Sequence, residues 1–462
     1  MFERLMFRKV ELWVVLLMVM FGTIGTLLFG WVAQSDATGE RLGGRLGAYA
    51  QKIAKIPNPA MEWILGRKKL VPQLVNFNEF DTLKPYTGDN ASAPFILVSA
   101  YSDRYNVATA YLYDLKSNKK VYEWIPPVDA IAKLSTPNDY SDPAIYGTQH
   151  PYLMPDGSII FSSGEGPLVR LDRCSKIEWV IDRHFHHSIN MGPNGNLFVP
   201  IVADLNTSYK TLYGPDTHNV RLRDDGFRLR DDGFAEVSPA GKILNEWSIT
   251  QILIQNGYGG LLLGVAPYEI ERIHLNDAEP ILAGDQYVEK GDVMLSMRNL
   301  SSIALFRPST GKIIWLHTGP WLGQHDIDYW GDGKFVLFGN DSLRWNRDDS
   351  QRFDRVVSLR GYSTIYQYDM RSSQASELLE LKKYGVNSAG EGRQQYLPDG
   401  SLFIESTDQG ALYLLNSDGS IAWKYVSPTH SRGKIGALHW SRVISRALAK
   451  RVLEHIGERR CP

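Results

Sequence analysis

Several side chains able to act on an anion stand at matching places in separate segments of the chain. His187 falls in the run DRHFHHSIN just before a PNGN turn, His274 in ERIHLND, and His325 in GQHDID just before a GDGK turn. Arg298 lies in VMLSMRNLSS. Asn276 follows His274 by two positions, which on a strand puts both on one face. Guanidinium offers a planar fork of donors, and imidazole offers donors or a nucleophile. Gathered around one cavity, this set suits a tetrahedral oxyanion. His186 and His187 are neighbours, so one of them faces such a cavity, and the register of the following strand favours His187.

Two other chemistries fit less well. Imidazole is a common zinc ligand, but two of these histidines are adjacent and no HExxH helix is present, so no metal is expected. His325-Asp326 invites a hydrolytic triad, yet neighbours along a strand face opposite ways, and no G-x-S-x-G elbow exists. Rossmann and P-loop glycine patterns are also missing, and no cofactor is expected.

The elements that must bring these residues together are short strands in repeats. PDGS at 155–158, PNGN at 193–196, GDGK at 331–334 and PDGS at 398–401 each precede an apolar run such as IIFSS or FVLFG. Asp-Gly and Asn-Gly permit the positive φ of tight hairpins. Segments ending in Trp124, Trp179, Trp247, Trp315 and Trp423 recur, and the indoles read as packing residues between neighbouring sheets. Units near 94–124, 151–182, 188–249, 291–320, 329–382 and 395–427 predict an all-β, six-bladed β-propeller over 91–440. A seventh blade is an alternative if 249–290 hides one. In a propeller, the segments leading into the innermost strands line the central channel, where residues far apart in sequence converge.

The flanks differ in character. Leu12 to Ser35 holds no charged residue and is long enough to span a bilayer, with Trp13 and Trp31 near its ends. Arg4, Arg8 and Lys9 precede it, so the positive-inside rule puts 1–11 in the cytoplasm and makes 12–34 a transmembrane anchor. A cleaved signal peptide is the alternative, although the apolar run exceeds a usual signal core. Residues 35–90 read as a connector with weak helical patterning, including GERLGGRLGAYAQKIAKI and MEWILGRKKL. RLRDDGF occurs twice in tandem, at 221–227 and 228–234, and reads as a duplicated surface hairpin. The segment 441–462 has helical spacing and a basic face of Arg442, Arg446, Lys450 and Arg451, to pack on the propeller or lie on an anionic membrane.

Composition narrows the field. The 462 residues carry 50 basic and 51 acidic side chains, which excludes a nucleic-acid partner held by overall charge. Cys174 and Cys461 are too few for a disulfide scaffold; they pair in an oxidising compartment or stay as thiols.

The segments HHSINMGPNGN, IHLND followed by VMLSMRNLSSIALFRPSTGKIIW, GQHDIDYWGDG and QYLPDGSLFI resemble the arylsulfotransferase family, in family order, over about Phe95 to Trp440. The resemblance implies a six-bladed propeller that moves a sulfuryl group from an aryl sulfate to a phenol without a phosphoadenosine donor. It implies a sulfohistidine intermediate on His325, with His187, His274, Asn276 and Arg298 holding sulfuryl oxygens and assisting proton transfer. His186 is a further candidate contact, and Ser388 in NSAGEG offers a hydroxyl. The anchor and the RLRDDGF duplication depart from better-known members. The expected whole is a single-pass protein of the inner membrane with a periplasmic propeller, small-molecule aryl sulfate and phenol as substrates, and room for a membrane-protein partner. A non-catalytic propeller that binds a protein or glycan is the alternative. A hydrolase with water as acceptor is another.

Overall fold

The computed structural model describes residues 11–37, 74–76, 84–88, 93–136, 143, 145–207, 229–264, 271–345, 355–431, 433–457 and 461. The basic residues before Glu11, both helical patterns of the connector and the first RLRDDGF copy lie outside the described residues. Contacts divide the chain into two compact units, one holding an N-terminal helix and the other the sheets.

The helix Leu12–Ala37 runs three residues past the expected end at 34. Its stretch Leu12–Trp31 is long and apolar enough to cross a membrane, as either an anchor or a signal sequence. Thr23 and Thr26 return their hydroxyls to the carbonyls of Val19 and Gly22, so neither leaves a polar group unsatisfied on an apolar helix.

The second unit is mostly β, with its sheets in a propeller-like arrangement. Four sheets each hold four antiparallel strands. One joins Arg442–Ile444 to Phe95–Ser102, Val107–Asp114 and Lys119–Trp124. The next contains Leu275–Pro280, Val293–Met297, Ser302–Arg307 and Lys312–Thr318. A third contains His325–Gly331, Lys334–Gly339, Thr364–Asp369 and Gln374–Glu380. The fourth contains Arg393–Tyr396, Leu402–Ser406, Ala411–Leu415 and Ile421–Val426. Pairing therefore separates four such sheets where the repeats predicted six. The strands between Gln149 and Ser248 form one eight-stranded sheet, narrowed to the single pair Ile201↔Phe185 between Leu197–Thr207 and Ile177–Phe185.

The segment 249–290 supplies no further four-stranded sheet among its described residues. It gives the short helices Ile249–Gln255 and Gly259–Leu263 and then the strand Leu275–Pro280. The connector is not wholly helical either: Leu74–Asn76 pairs with Lys434–Gly436, and Lys84 bridges to Lys424.

The hairpin glycines do what their sequence context requires. Gly157, Gly195, Gly333 and Gly400 all hold φ between 73° and 83°, where a Cβ would be strained. Recurrent tryptophans grip neighbouring turns and strands. Trp124 donates its indole N–H to the Gly157 carbonyl, Trp179 to that of Pro239 and Trp315 to the Tyr368 hydroxyl. Trp423 packs with Tyr113 and Tyr425 at the junction of the last sheet with the first.

Closure falls to the end of the chain. Ile444, Val443 and Arg442 pair with Phe95, Ile96 and Leu97, so a C-terminal strand completes an N-terminal sheet and removes its open edge. The boundary expected at 440 thus falls just ahead of a strand that belongs to the propeller. The helix Arg446–Gly457 buries Ala449 and Val452 in the apolar cluster of Phe95, Trp124, Leu153 and Phe161. Arg442 and Arg446 are not a membrane-facing stripe. Arg442 donates to the carbonyls of Pro151 and Ile189, and Arg446 to the Ala93 carbonyl and the Asp114 carboxylate.

Cys174 and Cys461 form a disulfide across 287 residues of sequence, tying the segment after that helix to the Asp172–Lys176 turn. Cross-linking so long a loop restricts the unfolded chain most. Cys461→Ser is expected to lower unfolding free energy by about 2–4 kcal/mol. Urea denaturation without reductant checks this, and an unchanged midpoint with the same slope would refute it.

Candidate active site

The innermost strands begin with residues in an unusual backbone conformation. His150, His187, His274, Asp326 and Trp440 all have φ between 43° and 63°, a left-handed region that costs a non-glycine residue free energy. The His150 N–H donates to the His439 carbonyl, and the other four turns are held by side chains. The His187 N–H donates to Gln149 Oε1 at 2.8 Å, and the Leu275 N–H to Asp232 Oδ2 at 2.9 Å. The Ile327 N–H donates to Asp277 Oδ2 at 2.9 Å, and the Trp440 N–H to Glu405 Oε1 at 2.8 Å. These hydrogen bonds over-determine the turns and aim the side chains they carry.

His187, His274 and His325 meet as a result. One ring nitrogen from each lies within 4.8 Å of the others, and among the described residues this is the group of potential ligands able to hold a metal ion. Ring centroids of His187 and His274 are 4.9 Å apart, and those of His187 and His325 5.9 Å. Trp440 packs edge-on against both His187, at 5.7 Å, and His325, at 5.9 Å.

The orientation of each ring is set from behind. His325 Nδ1 lies 2.7 Å from Asn340 Oδ1. Asn340 spends its amide protons on the carbonyls of Ser388 and Glu391, at 2.7 and 3.0 Å, so its oxygen must face the histidine. His325 therefore carries its proton on Nδ1. Its buried Nε2 has no hydrogen-bond partner among the described residues. His274 Nδ1 lies 2.7 Å from Glu271, and His187 Nδ1 lies 2.9 Å from His186 Nδ1. His186 thus stands behind His187, with its Nε2 3.9 Å from Asp232.

Burial, and then the Arg298 guanidinium, hold His325 well below the usual imidazole value, against the opposing pull of Asn340 and the Gly323 carbonyl. It is neutral at pH 7. Burial likewise depresses His187, assisted by the other histidines. Arg298 sits in a short turn whose own N–H pairs with the His274 carbonyl, and its side chain reaches Asn299. Asn276 donates to the carbonyl of Gln324, the residue before His325, and keeps a buried Oδ1 with no hydrogen-bond partner among the described residues. Ser388 serves through its backbone, whose carbonyl accepts from Asn340, while its Oγ accepts the Asp408 N–H.

Four residues of this arrangement had no signal in the sequence. Asn340 and Glu271 act on the histidines rather than repeating their spacing. Trp440 follows a polar stretch with no apolar alternation. Glu391 lies in NSAGEG, and burial, with Asp408 and Glu405 nearby, pushes it up to about 8 against the pull of Arg298, so it is protonated at neutral pH. The second RLRDDGF copy also differs from expectation. It is the start of the strand Leu229–Val237, and Leu229, Asp231, Asp232 and Phe234 are all buried. A duplicated hairpin would be exposed; here Asp232 is needed inside, where it holds the Leu275 N–H and pairs with Arg230 at 3.0 Å.

The class defined by this geometry is a propeller-like protein with a histidine-rich centre. Residues 150–428 match the sequence profile of the arylsulfotransferase (ASST) family, and the chain belongs to that family. Membership supports sulfuryl transfer in general. No curated protein matches the chain. Among solved structures, a Bacteroides caccae protein of unknown function is similar at 13% identity over 76% of this chain and 99% of its own, with a TM-score of 0.47. The Dos1 propeller is similar at 10% identity over 75% of each chain, with a TM-score of 0.35. U3-55K is similar at 8% identity over 59% of this chain and 62% of its own, with a TM-score of 0.33.

Asn340→Leu removes the acceptor that fixes the His325 proton on Nδ1. Nitrogen-15 histidine spectra are expected to show one Nδ1–H tautomer for His325 in the parent and a mixture in the variant. The same single tautomer in both would contradict the assignment.

Proposed function

We propose that this chain is a membrane-anchored, phosphoadenosine-independent aryl-sulfate sulfotransferase that works by two transfers through His325. The observation that carries this reading is the neutral His325, fixed by Asn340 with its Nε2 lone pair open, among two further imidazoles in a chain of the arylsulfotransferase family. The eight-stranded sheet is taken as two blades divided at the Ile201↔Phe185 pair, which makes six around one channel.

In the first transfer the His325 Nε2 lone pair attacks the sulfur of an aryl sulfate. The N–S bond forms, the S–O bond to the aryl group breaks, and the electron pair leaves on the phenolate oxygen. The ring becomes cationic while its Nδ1 proton stays bonded to Asn340. Protonated Glu391 supplies a proton to the departing phenolate. Arg298 meets the sulfuryl oxygens as a donor already in place, and His187 and His274 join it when their Nε2 atoms carry protons, beside Asn276, so charge developing there is stabilised. A second phenol, returning its proton to Glu391, attacks the sulfur and releases the imidazole. His186 positions His187, and Ser388 positions Asn340.

The disulfide-linked pair is consistent with an oxidising compartment, and the apolar helix with an anchor. The reading places the sheets in the periplasm and the helix in the inner membrane, with no cofactor.

Intact-mass spectrometry after brief exposure to p-nitrophenyl sulfate is expected to show a gain of about 80 Da, one sulfuryl group, lost in His325→Asn. No adduct and no phenol release across several aryl sulfates would sink the reading and favour a binding propeller. Arg298→Ala is expected to lower kcat by about 100- to 1,000-fold with the fold kept.

The pH profile gives a separate check. His325 stays neutral well below pH 6.5, so kcat/KM should not fall as pH drops through that value. With Glu391 near 8, activity should decline as pH rises past about 8, and Glu391→Gln should lose that alkaline limb. An unchanged limb in the variant would remove Glu391 from the proton path.

A further inference from the structure

The three central histidines are arranged as metal ligands are, independently of sulfuryl chemistry. Each has its Nδ1 engaged from behind: His325 by the Asn340 amide oxygen, His274 by the Glu271 carboxylate, and His187 by the Nδ1 of His186. Asn340 and Glu271 can only accept, so His325 and His274 donate from Nδ1 and present Nε2 lone pairs. The His186–His187 contact joins two Nδ1 atoms, so one donates to the other. When His187 is the donor its lone pair falls on Nε2 as well, and the His186 Nε2, 3.9 Å from Asp232, has no hydrogen-bond partner among the described residues. Metal-ligating histidines show this pattern of an outer partner on one nitrogen and an open lone pair on the other.

In that tautomer three lone pairs converge and repel one another. A cation relieves that repulsion. The nitrogens lie within 4.8 Å of one another. A tetrahedral zinc ion at about 2.0–2.1 Å from each needs them somewhat closer, a change that rotation of the rings supplies. Three imidazoles with an open fourth position form a known type of zinc site. The nearby charges act in both directions. Glu271 and Asp232 favour a cation, whereas the Arg298 guanidinium opposes it, which selects a tightly coordinated ion over a diffuse one.

We propose that His187, His274 and His325 form a three-nitrogen site for a divalent transition-metal ion, Zn2+ being the probe of choice, and that an ion seated there blocks aryl sulfate from the His325 lone pair. Soft or borderline ions suit imidazole, so Zn2+ and Cu2+ bind while Mg2+ and Ca2+, which prefer oxygen, do not.

The binding half of the proposal does not depend on the sulfotransferase reading and is measured without substrate. Full-length protein in detergent, stripped with chelator, is titrated with Zn2+ by calorimetry, and bound metal is counted by elemental analysis. One ion per chain is expected. Glu271→Gln, which leaves all three ligands in place, should weaken it by about 10- to 100-fold. His274→Ala should abolish it. Co2+ in place of Zn2+ should give the visible absorption of a four-coordinate nitrogen site. Absent stoichiometric binding, or equal binding by the parent and His274→Ala, would overturn the site. Zn2+ should also inhibit aryl-sulfate turnover competitively and reversibly by chelator. Stoichiometric binding with undiminished turnover would overturn the blocking role alone.

Discussion

One hydrogen bond, repeated around the centre, underlies the rest of the structure. At the start of successive inner strands the backbone turns left-handed, and at His274, Asp326 and Trp440 an N–H at or just after that turn is caught by a buried carboxyl oxygen from a neighbouring sheet. Asp232, Asp277 and Glu405 take this role, and Asp326 repeats it by accepting the Gln394 N–H at 2.7 Å. Burying these acids is costly: Asp277 is pushed up to about 7 by desolvation and then by Asp326, and desolvation raises Asp232 and Glu405 as well. A hydrogen bond to a charged or partly charged carboxyl is worth roughly 1.5–3 kcal/mol, and leaving its partner unsatisfied costs a similar amount. The bond thus stabilises an unfavourable backbone and joins one sheet to the next.

That dual role explains why the site is central. The same turn that locks two sheets together swings His274 inward, so fixing the fold and fixing that histidine are one event. Arg298 pairs its own backbone with His274, and Asn276 holds the backbone just before His325. Displacing any one of these residues displaces its neighbours. The centre also mixes groups of opposite preference: neutral imidazoles, a permanent guanidinium and a carboxylic acid that keeps its proton at neutral pH. Low exposure makes each of them sensitive to the others.

Much of this was legible in the sequence, and the gaps have physical causes. Asp-Gly and Asn-Gly turns revealed the hairpins, and the recurring Trp residues revealed the sheet-to-sheet packing. Innermost strands were harder to see. Leu275–Pro280 reads LNDAEP and Arg393–Tyr396 reads RQQY, with none of the apolar alternation that marks a strand facing a core. They face one another's polar groups instead, so the repeats appeared to begin one strand late. His187, His274 and His325 could be singled out by type and place. Asn340 and Glu271 could not, because a residue that orients another carries no periodicity of its own. The second RLRDDGF copy looked like surface because charged residues usually are; Asp232 is buried and Arg230, partly buried, pairs with it.

The closing strand has a consequence for how the protein comes into being. Arg442–Ile444 completes the sheet begun by Phe95–Ser102, and Trp440, which packs on two of the histidines, stands just ahead of it. A ribosome must therefore make nearly the whole ring before its centre can exist. Until then the growing chain has neither a closed circle nor an assembled pocket, so it acts on nothing along the way. The last strand works as a clasp fastened once, on the far side of synthesis.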